Sequence, residues 1–242
     1  MQKAIVLKPE IIGYFHSLPI TNTLFTSWIV MAFLIGISIL ATRKISLVPT
    51  GLQNFFEFLI EFGYTTVEDL AGSKSKIIFP IVFTFFLYVI LGNYFGLLPG
   101  FGTIGFNTKE GFIPLLRSIN SDLNMTLGLA LVSAVATHAL SIKYLGIKGY
   151  LKRWVSLNPI FLFVGLLEIV GEFTKVISLS FRLFGNIFAG EIVLSTISNM
   201  FAFILPLPFY FLEIIVGFVQ AAIFMMLTLV FMVILTEKHE SH

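Results

Sequence analysis

Apolar runs long enough to cross a bilayer follow one another along this chain, each bounded by charged or turn-forming residues. The first covers residues 24–41, the second 77–98 and the third 123–142, and a stretch over 158–236 holds two more, broken near Pro206 and Pro208. A helix of about 20 apolar residues spans the hydrocarbon core. The 242 residues are 57% hydrophobic and 12% charged, with a mean hydropathy of +0.97, whereas soluble domains are about a quarter charged. The expected fold class is therefore all-α: a polytopic protein with five transmembrane helices in one membrane domain over residues 1–242. Asn158 before Pro159 makes a good helix start, an N-cap side chain followed by a proline at the first helical position.

One further helix is expected outside the hydrocarbon. Over residues 51–70, Phe55, Phe56, Phe58, Leu59 and Phe62 alternate with Glu57, Glu61, Glu68 and Asp69. That pattern is too acidic to span and suits a helix lying in the interface. Residues 1–23 hold Pro9, Glu10, His16 and Pro19 and do not read as a cleavable signal, so they are expected to form a retained segment outside. Residues 99–121 read as an outside loop.

Charge fixes the orientation. Arg43, Lys44, Lys74, Lys76, Lys143, Lys148, Lys152, Arg153 and Lys238 fall on one side; Lys3, Lys8, Lys109 and Arg117 fall on the other; Lys175 and Arg182 lie within spans. Lys and Arg collect on the cytoplasmic side, which places the N-terminus outside and the C-terminus inside. The net charge of +2 is modest and its carriers are scattered, which argues against nucleic acid. With no cysteine and no short His or carboxylate cluster, neither a cofactor nor a metal is expected.

Arg182 is the residue that asks for a function. It lies in Ser178-Leu179-Ser180-Phe181-Arg182-Leu183-Phe184-Gly185-Asn186-Ile187-Phe188-Ala189-Gly190-Glu191, and a guanidinium stays charged wherever it is. Inside a bilayer it needs water, a carboxylate or carbonyl partners. On a helix, Glu168, Gly171, Lys175, Ser178, Gly185 and Ala189 fall within roughly 60° of it. The line combines charge with small side chains, which lets another backbone come close. Asn186 lies one turn beyond, near the same face. Glu191 points the opposite way, about 13 Å along the axis, and Glu168 lies roughly 21 Å off in the other direction. On the last span Glu213 and Gln220 share a face, with Gly217 between them. Low dielectric disfavours a charged carboxylate, so Glu191 and Glu213 suit proton uptake and release. Plainer readings stay open: Arg182 in a structural pair with Glu168 or Glu172, Glu213 in an interhelical hydrogen bond, and His138 as a satisfied core histidine outside the site.

The segment from Ser180 to Asn186, continued by Ala189-Gly190-Glu191, resembles the signature of subunit a of the rotary F-type ATP synthase. Gln220-Ala221-Ala222-Ile223-Phe224 with Glu213 one heptad earlier is similar to a second family motif. Asn93 with Leu97-Leu98-Pro99, and Asp122-Leu123-Asn124-Met125-Thr126, extend the resemblance from about residue 50 to the end. Residues 1–22 carry none of it.

The resemblance implies a non-catalytic, proton-translocating stator with two offset aqueous half-channels and two long, tilted final helices against a rotating c-ring. It implies that Arg182 faces the ring, attracts ionised ring carboxylates and blocks a direct leak. Glu191, Glu213 and Gln220 match positions of the outside half-channel, Glu168 one on the inside route, and Asn186, Ser178 and Lys175 line the path or the ring interface. The implied partners are the c-ring, the peripheral-stalk b subunits and the bilayer, with no substrate beyond protons. Position 213 is often histidine in that family and is glutamate here; Phe181 also departs from it. The Leu183-Phe184-Gly185-Asn186 pattern looks bacterial or plastid-like, and without a presequence a bacterial cell membrane is expected. The competing classes are an independent ion-coupled carrier, against which stands the lack of any internal repeat, and a membrane scaffold without transport.

Overall fold

The structure, a computed structural model, describes residues 9–43, 45–48, 51–98, 104–108, 111–154, 159–200 and 204–237. The helix start at Asn158, the Pro99-Gly100 turn and the cations Lys3, Lys8, Lys44, Lys109 and Lys238 lie outside the described residues. In chain order the elements are β1 (Ile11–Phe15), β2 (Leu18–Thr21), α1 (Asn22–Thr42), α2 (Leu52–Ala71), α3 (Ser75–Leu97), β3 (Gly105–Thr108), β4 (Gly111–Pro114), α4 (Leu123–Trp154), α5 (Pro159–Met200) and α6 (Pro206–Thr236). Among the described residues, five helical stretches are long and apolar enough to cross a membrane. The protein is an all-α, multi-pass membrane protein. α2 carries the expected mixed character, with Phe55, Phe58 and Phe62 exposed, and it ends at Gly72 in the left-handed region (φ 51).

Local chemistry sets the helix ends. Thr21 caps α1 by accepting from the amide of Leu24 at 3.3 Å, and Asp122 opens α4 by accepting from the amide of Asn124 at 2.9 Å; both satisfy amides left over in a first turn. Within α4 the helical backbone breaks at Gly146, at φ 72 and ψ 162, and a second helical piece bends away from the first and runs on to Trp154. The bend turns Tyr150 and Trp154 back toward His138, with ring centroids at 6.0 and 6.1 Å. Two small hairpins replace expected irregular chain: β1 with β2, through a turn at His16 (φ 61), and β3 with β4 inside the 99–121 loop. A positive φ suits a two-residue hairpin turn, and strands of four or five residues are too short to leave an alternation signal in the sequence.

Polar bonds sort the helix ends into two groups. Thr23 donates to Asp122 at 2.8 Å, tying the start of α1 to the start of α4. Lys74 donates to the carbonyl of Thr236 at 2.9 Å and lies over Tyr144 at 5.3 Å, gathering the α2–α3 junction, the far part of α4 and the end of α6. The cation sits where carbonyls at a helix C-terminus collect negative potential. Lys74, Lys143 and Lys148 thus share one end of the bundle.

The core lies between α3 and α6. Val82, Phe85, Phe86 and Val89 of α3 pack with Ala221, Phe224, Leu229 and Met232 of α6, and Leu179 and Leu183 of α5 close it. The Phe85 and Phe224 rings are 5.6 Å apart. Hydroxyls stitch the helices: Ser133 to Thr228 at 3.0 Å, Thr126 to Ser180 at 3.1 Å, and Ser141 to the carbonyl of Leu235 at 2.6 Å. Small polar residues at such contacts are a common means of helix association in lipid. Near the other end Asn120, fully buried, donates to Asn93 at 2.7 Å, and Asn93 donates to the carbonyl of Gly217 at 2.9 Å. Asn120→Ala is expected to destabilise the fold by about 1–2 kcal/mol, because Asn93 loses its donor in a buried place; thermal melting in detergent would register it as a lower midpoint.

Candidate functional site

α5 presents two different polar faces. On its outer surface Ser178, Arg182, Gly185, Asn186 and Ala189 are all exposed. Among the described residues the guanidinium reaches only Ser178, whose hydroxyl accepts from Nη2 at 3.5 Å. Among the described residues no carboxylate lies within ion-pair distance of it. Apolar Ile177 and Phe181 flank the line and are also exposed. A permanent charge therefore stands on the surface of a helix long and apolar enough to cross a membrane, with small side chains before and after it on the same line.

The opposite face points into the bundle. Glu191 lines a cavity of about 280 Å³ together with Glu213 from α6, Asn93 from α3 and Ser195, Ser198 and Tyr210. Glu213 is buried and Glu191 half-buried. The helices meet here without a spacer: a Cβ at Gly190 would overlap the Glu213 carboxylate. Half a turn of α5 thus separates the exposed cation from the carboxylates that line the cavity, as the helical periodicity of the sequence predicts.

Between these levels the two helices are bridged by amides. Asn186 donates to Gln220 Oε1 at 2.8 Å. Gln220 is buried, and its Nε2 has no hydrogen-bond partner among the described residues. Asn186 lies about 6 Å from Arg182's level toward Glu191, and Gln220 about 10 Å along α6 from Glu213, at the rise of a helix. The bridge occupies the interval between carboxylates and arginine.

The other end of α5 differs from the simple stripe. Glu168 is half-buried. Lys175 donates to Glu172 Oε1 at 2.6 Å and its ammonium lies over the Phe231 ring of α6 at 4.5 Å. His138 Nε2 approaches Glu172 Oε2 at 3.8 Å, and Tyr150 bonds His138 Nδ1 at 3.2 Å. Glu172 is thus the partner of Lys175 rather than of Arg182, and His138 is a half-exposed member of a charged cluster rather than a core histidine.

In the sequence Arg117 is a loop cation and nothing more. In the fold its Nη2 lies 3.8 Å from Glu191 Oε2, its Nε donates to Ser121 at 3.1 Å, and its amide donates to Thr26 at 3.2 Å. Both this pair and His138 with Glu172 join residues far apart in sequence, where helix spacing carries no signal. The eight residues singled out from the sequence thus fall into three groups: Glu191 and Glu213 at the cavity, Arg182, Ser178, Asn186 and Gln220 at the middle, Glu168 and Lys175 at the other end.

A sequence profile of the family described as ATP synthase A chain matches residues 24–233. A protein of Syntrophobacter fumaroxidans described as ATP synthase subunit a is 35% identical over 213 residues, covering 85% of this chain and 80% of its own. One of Moorella thermoacetica with the same description is 31% identical over 233 residues, 96% of this chain and 99% of its own. The ATP synthase subunit a 2 of Syntrophotalea carbinolica is 34% identical over 232 residues, 94% and 88% of the two chains.

Proposed function

Since the chain belongs to the ATP synthase A chain family, we propose that it is the proton-translocating stator subunit of an F-type ATP synthase in a bacterial cell membrane. The observation that carries this reading is the exposed guanidinium of Arg182, which finds no carboxylate partner among the described residues. An unneutralised charge at the depth of lipid tails costs several kcal/mol. A rotating c-ring bearing a mid-membrane carboxylate on each subunit supplies the missing partner, and the small side chains of Gly185 and Ala189 let it approach.

The outer half-channel is the Glu191–Glu213 cavity. A proton arriving from outside is taken by this pair and passed to a ring carboxylate that comes up beside the Asn186–Gln220 bridge; the amides do not carry the proton but orient the acceptor, toward which Gln220 Nε2, unpaired among the described residues, can donate. Arg182 stands past that bridge. Its fixed charge repels a proton and draws an ionised carboxylate, so a proton must ride the ring before leaving by the Glu168 side. One charge crossing 100 mV releases about 2.3 kcal/mol, and the detour makes that energy available to rotation. The end holding Lys74, Lys143 and Lys148 faces the cytoplasm, and the N-terminal hairpin faces outside. Residues 1–242 act as one membrane domain, α2 lies in the interface, and peripheral-stalk b subunits hold the assembly against the torque of the ring.

Purification from its native membrane in mild detergent tests the reading. A small apolar hairpin protein with a lone mid-membrane carboxylate is expected to co-isolate in several copies. A chain that purifies without such a protein, and that transports a solute alone in liposomes, is an independent carrier instead.

A further inference from the structure

Arg182 is not the only intramembrane cation on α5, and the second is visibly restrained. Lys175 lies two turns, or about 10 Å, from Arg182 on nearly the same line. Its four-carbon stem is long enough to present the ammonium on that line. Instead Nζ is drawn off it by Glu172 Oε1 at 2.6 Å and rests over Phe231 at 4.5 Å. Glu172 can do this because of its own place on the helix. It is eleven residues before Leu183, about 20° away around the axis, on the line of Leu183, Leu179 and Val176 that packs into the core. Its second oxygen faces His138 of α4 at 3.8 Å, and that imidazole bonds Tyr150 at 3.2 Å. Each oxygen of the carboxylate therefore has one cationic or imidazole partner, and three helices meet at it.

We propose that Glu172, bracketed by Lys175 and His138, is a positioning residue that keeps the second cation off the ring-facing line, so that Arg182 is the cation ring carboxylates meet. The inference rests on the function proposed above. Without Glu172 the ammonium swings onto the exposed line about 10 Å inward of Arg182. There it gives a departing ring carboxylate a second resting partner and repels protons leaving on the Glu168 side. Unit charges about 10 Å apart in partly shielded surroundings change a barrier enough to slow a step about tenfold.

The test uses the whole ATP synthase in proteoliposomes, with ATP-driven proton pumping as the readout and the amount of co-isolated ring as the control for assembly. Glu172→Gln is expected to slow pumping about tenfold, Glu172→Asp to stay near the parent, and Glu172→Gln with Lys175→Gln to recover most of the loss. A carboxylate that merely helps the helices pack would make the double variant at least as slow as the single one. His138→Gln removes the imidazole facing the other oxygen of the same carboxylate and is expected to slow pumping two- to threefold, again reversed by Lys175→Gln; it carries the test where Glu172→Gln fails to assemble. Parental pumping in Glu172→Gln, or no recovery when Lys175 is removed, overturns the proposal. Coupled pumping in Arg182→Ala would overturn the underlying function instead, whatever the Glu172 series does.

Discussion

Arg182→Ala is expected to abolish ATP-driven proton pumping while leaving the subunit assembled in its complex. The two halves of this expectation come from one geometry. The guanidinium lies on the surface of α5, touches Ser178 at 3.5 Å and takes no part in the core of Leu179, Leu183 and the α3–α6 interface. Its removal leaves no cavity and strands no buried partner, so the fold loses little. The functional loss is electrostatic. At about 4 Å from a ring carboxylate in partly shielded surroundings, a fixed unit charge contributes about 4 kcal/mol, or about a thousandfold in a rate it controls. Without it the carboxylate is not held ionised while passing, and nothing repels protons between the two routes. Dye quenching in proteoliposomes should report no ATP-driven acidification, while an imposed gradient across complexes stripped of their catalytic head should dissipate faster than in the parent. Normal pumping with the complex intact would remove Arg182 from the mechanism.

How far such a site can be read from sequence depends on whether its parts lie on one helix. The spans were legible because length and apolarity alone specify a crossing, and the opposition of Arg182 and Glu191 follows from nine residues of helical twist. The ends were less so. α1 starts at Asn22 rather than Leu24 because Thr21 provides the cap, and helical chain resumes after the break at Gly146 and reaches Trp154, twelve residues beyond Ile142. Contacts between helices left no trace. Glu191 and Glu213 share a cavity only because Gly190 lets α6 come close. Arg117 reaches Glu191 from a loop, and His138 reaches Glu172 from α4; neither partnership has a spacing that could reveal it. Periodicity assigns a side chain to a face, and tertiary packing decides what that face meets.

The shared cavity leads to the second large effect: Glu191→Gln combined with Glu213→Gln is expected to stop proton uptake from the outer side, while each single change slows it only severalfold. Both carboxylates line the same 280 Å³ space, so a proton that finds one neutralised still has the other within reach. An amide keeps the volume and polarity of the side chain but cannot release a proton at neutral pH. Losing the last group able to transfer a proton costs about a hundredfold or more. The single variants differ in a useful way. Glu191→Gln also removes the anion 3.8 Å from Arg117, so it disturbs the wall of the cavity as well as its chemistry; Glu213→Gln leaves that pair intact and is expected to be the milder of the two. Flux should be followed in both directions, since a block confined to the cavity impairs ATP-driven pumping and gradient-driven synthesis alike. A double variant with parental flux would mean that protons bypass the cavity, and the chain would then be a scaffold beside a path that lies elsewhere.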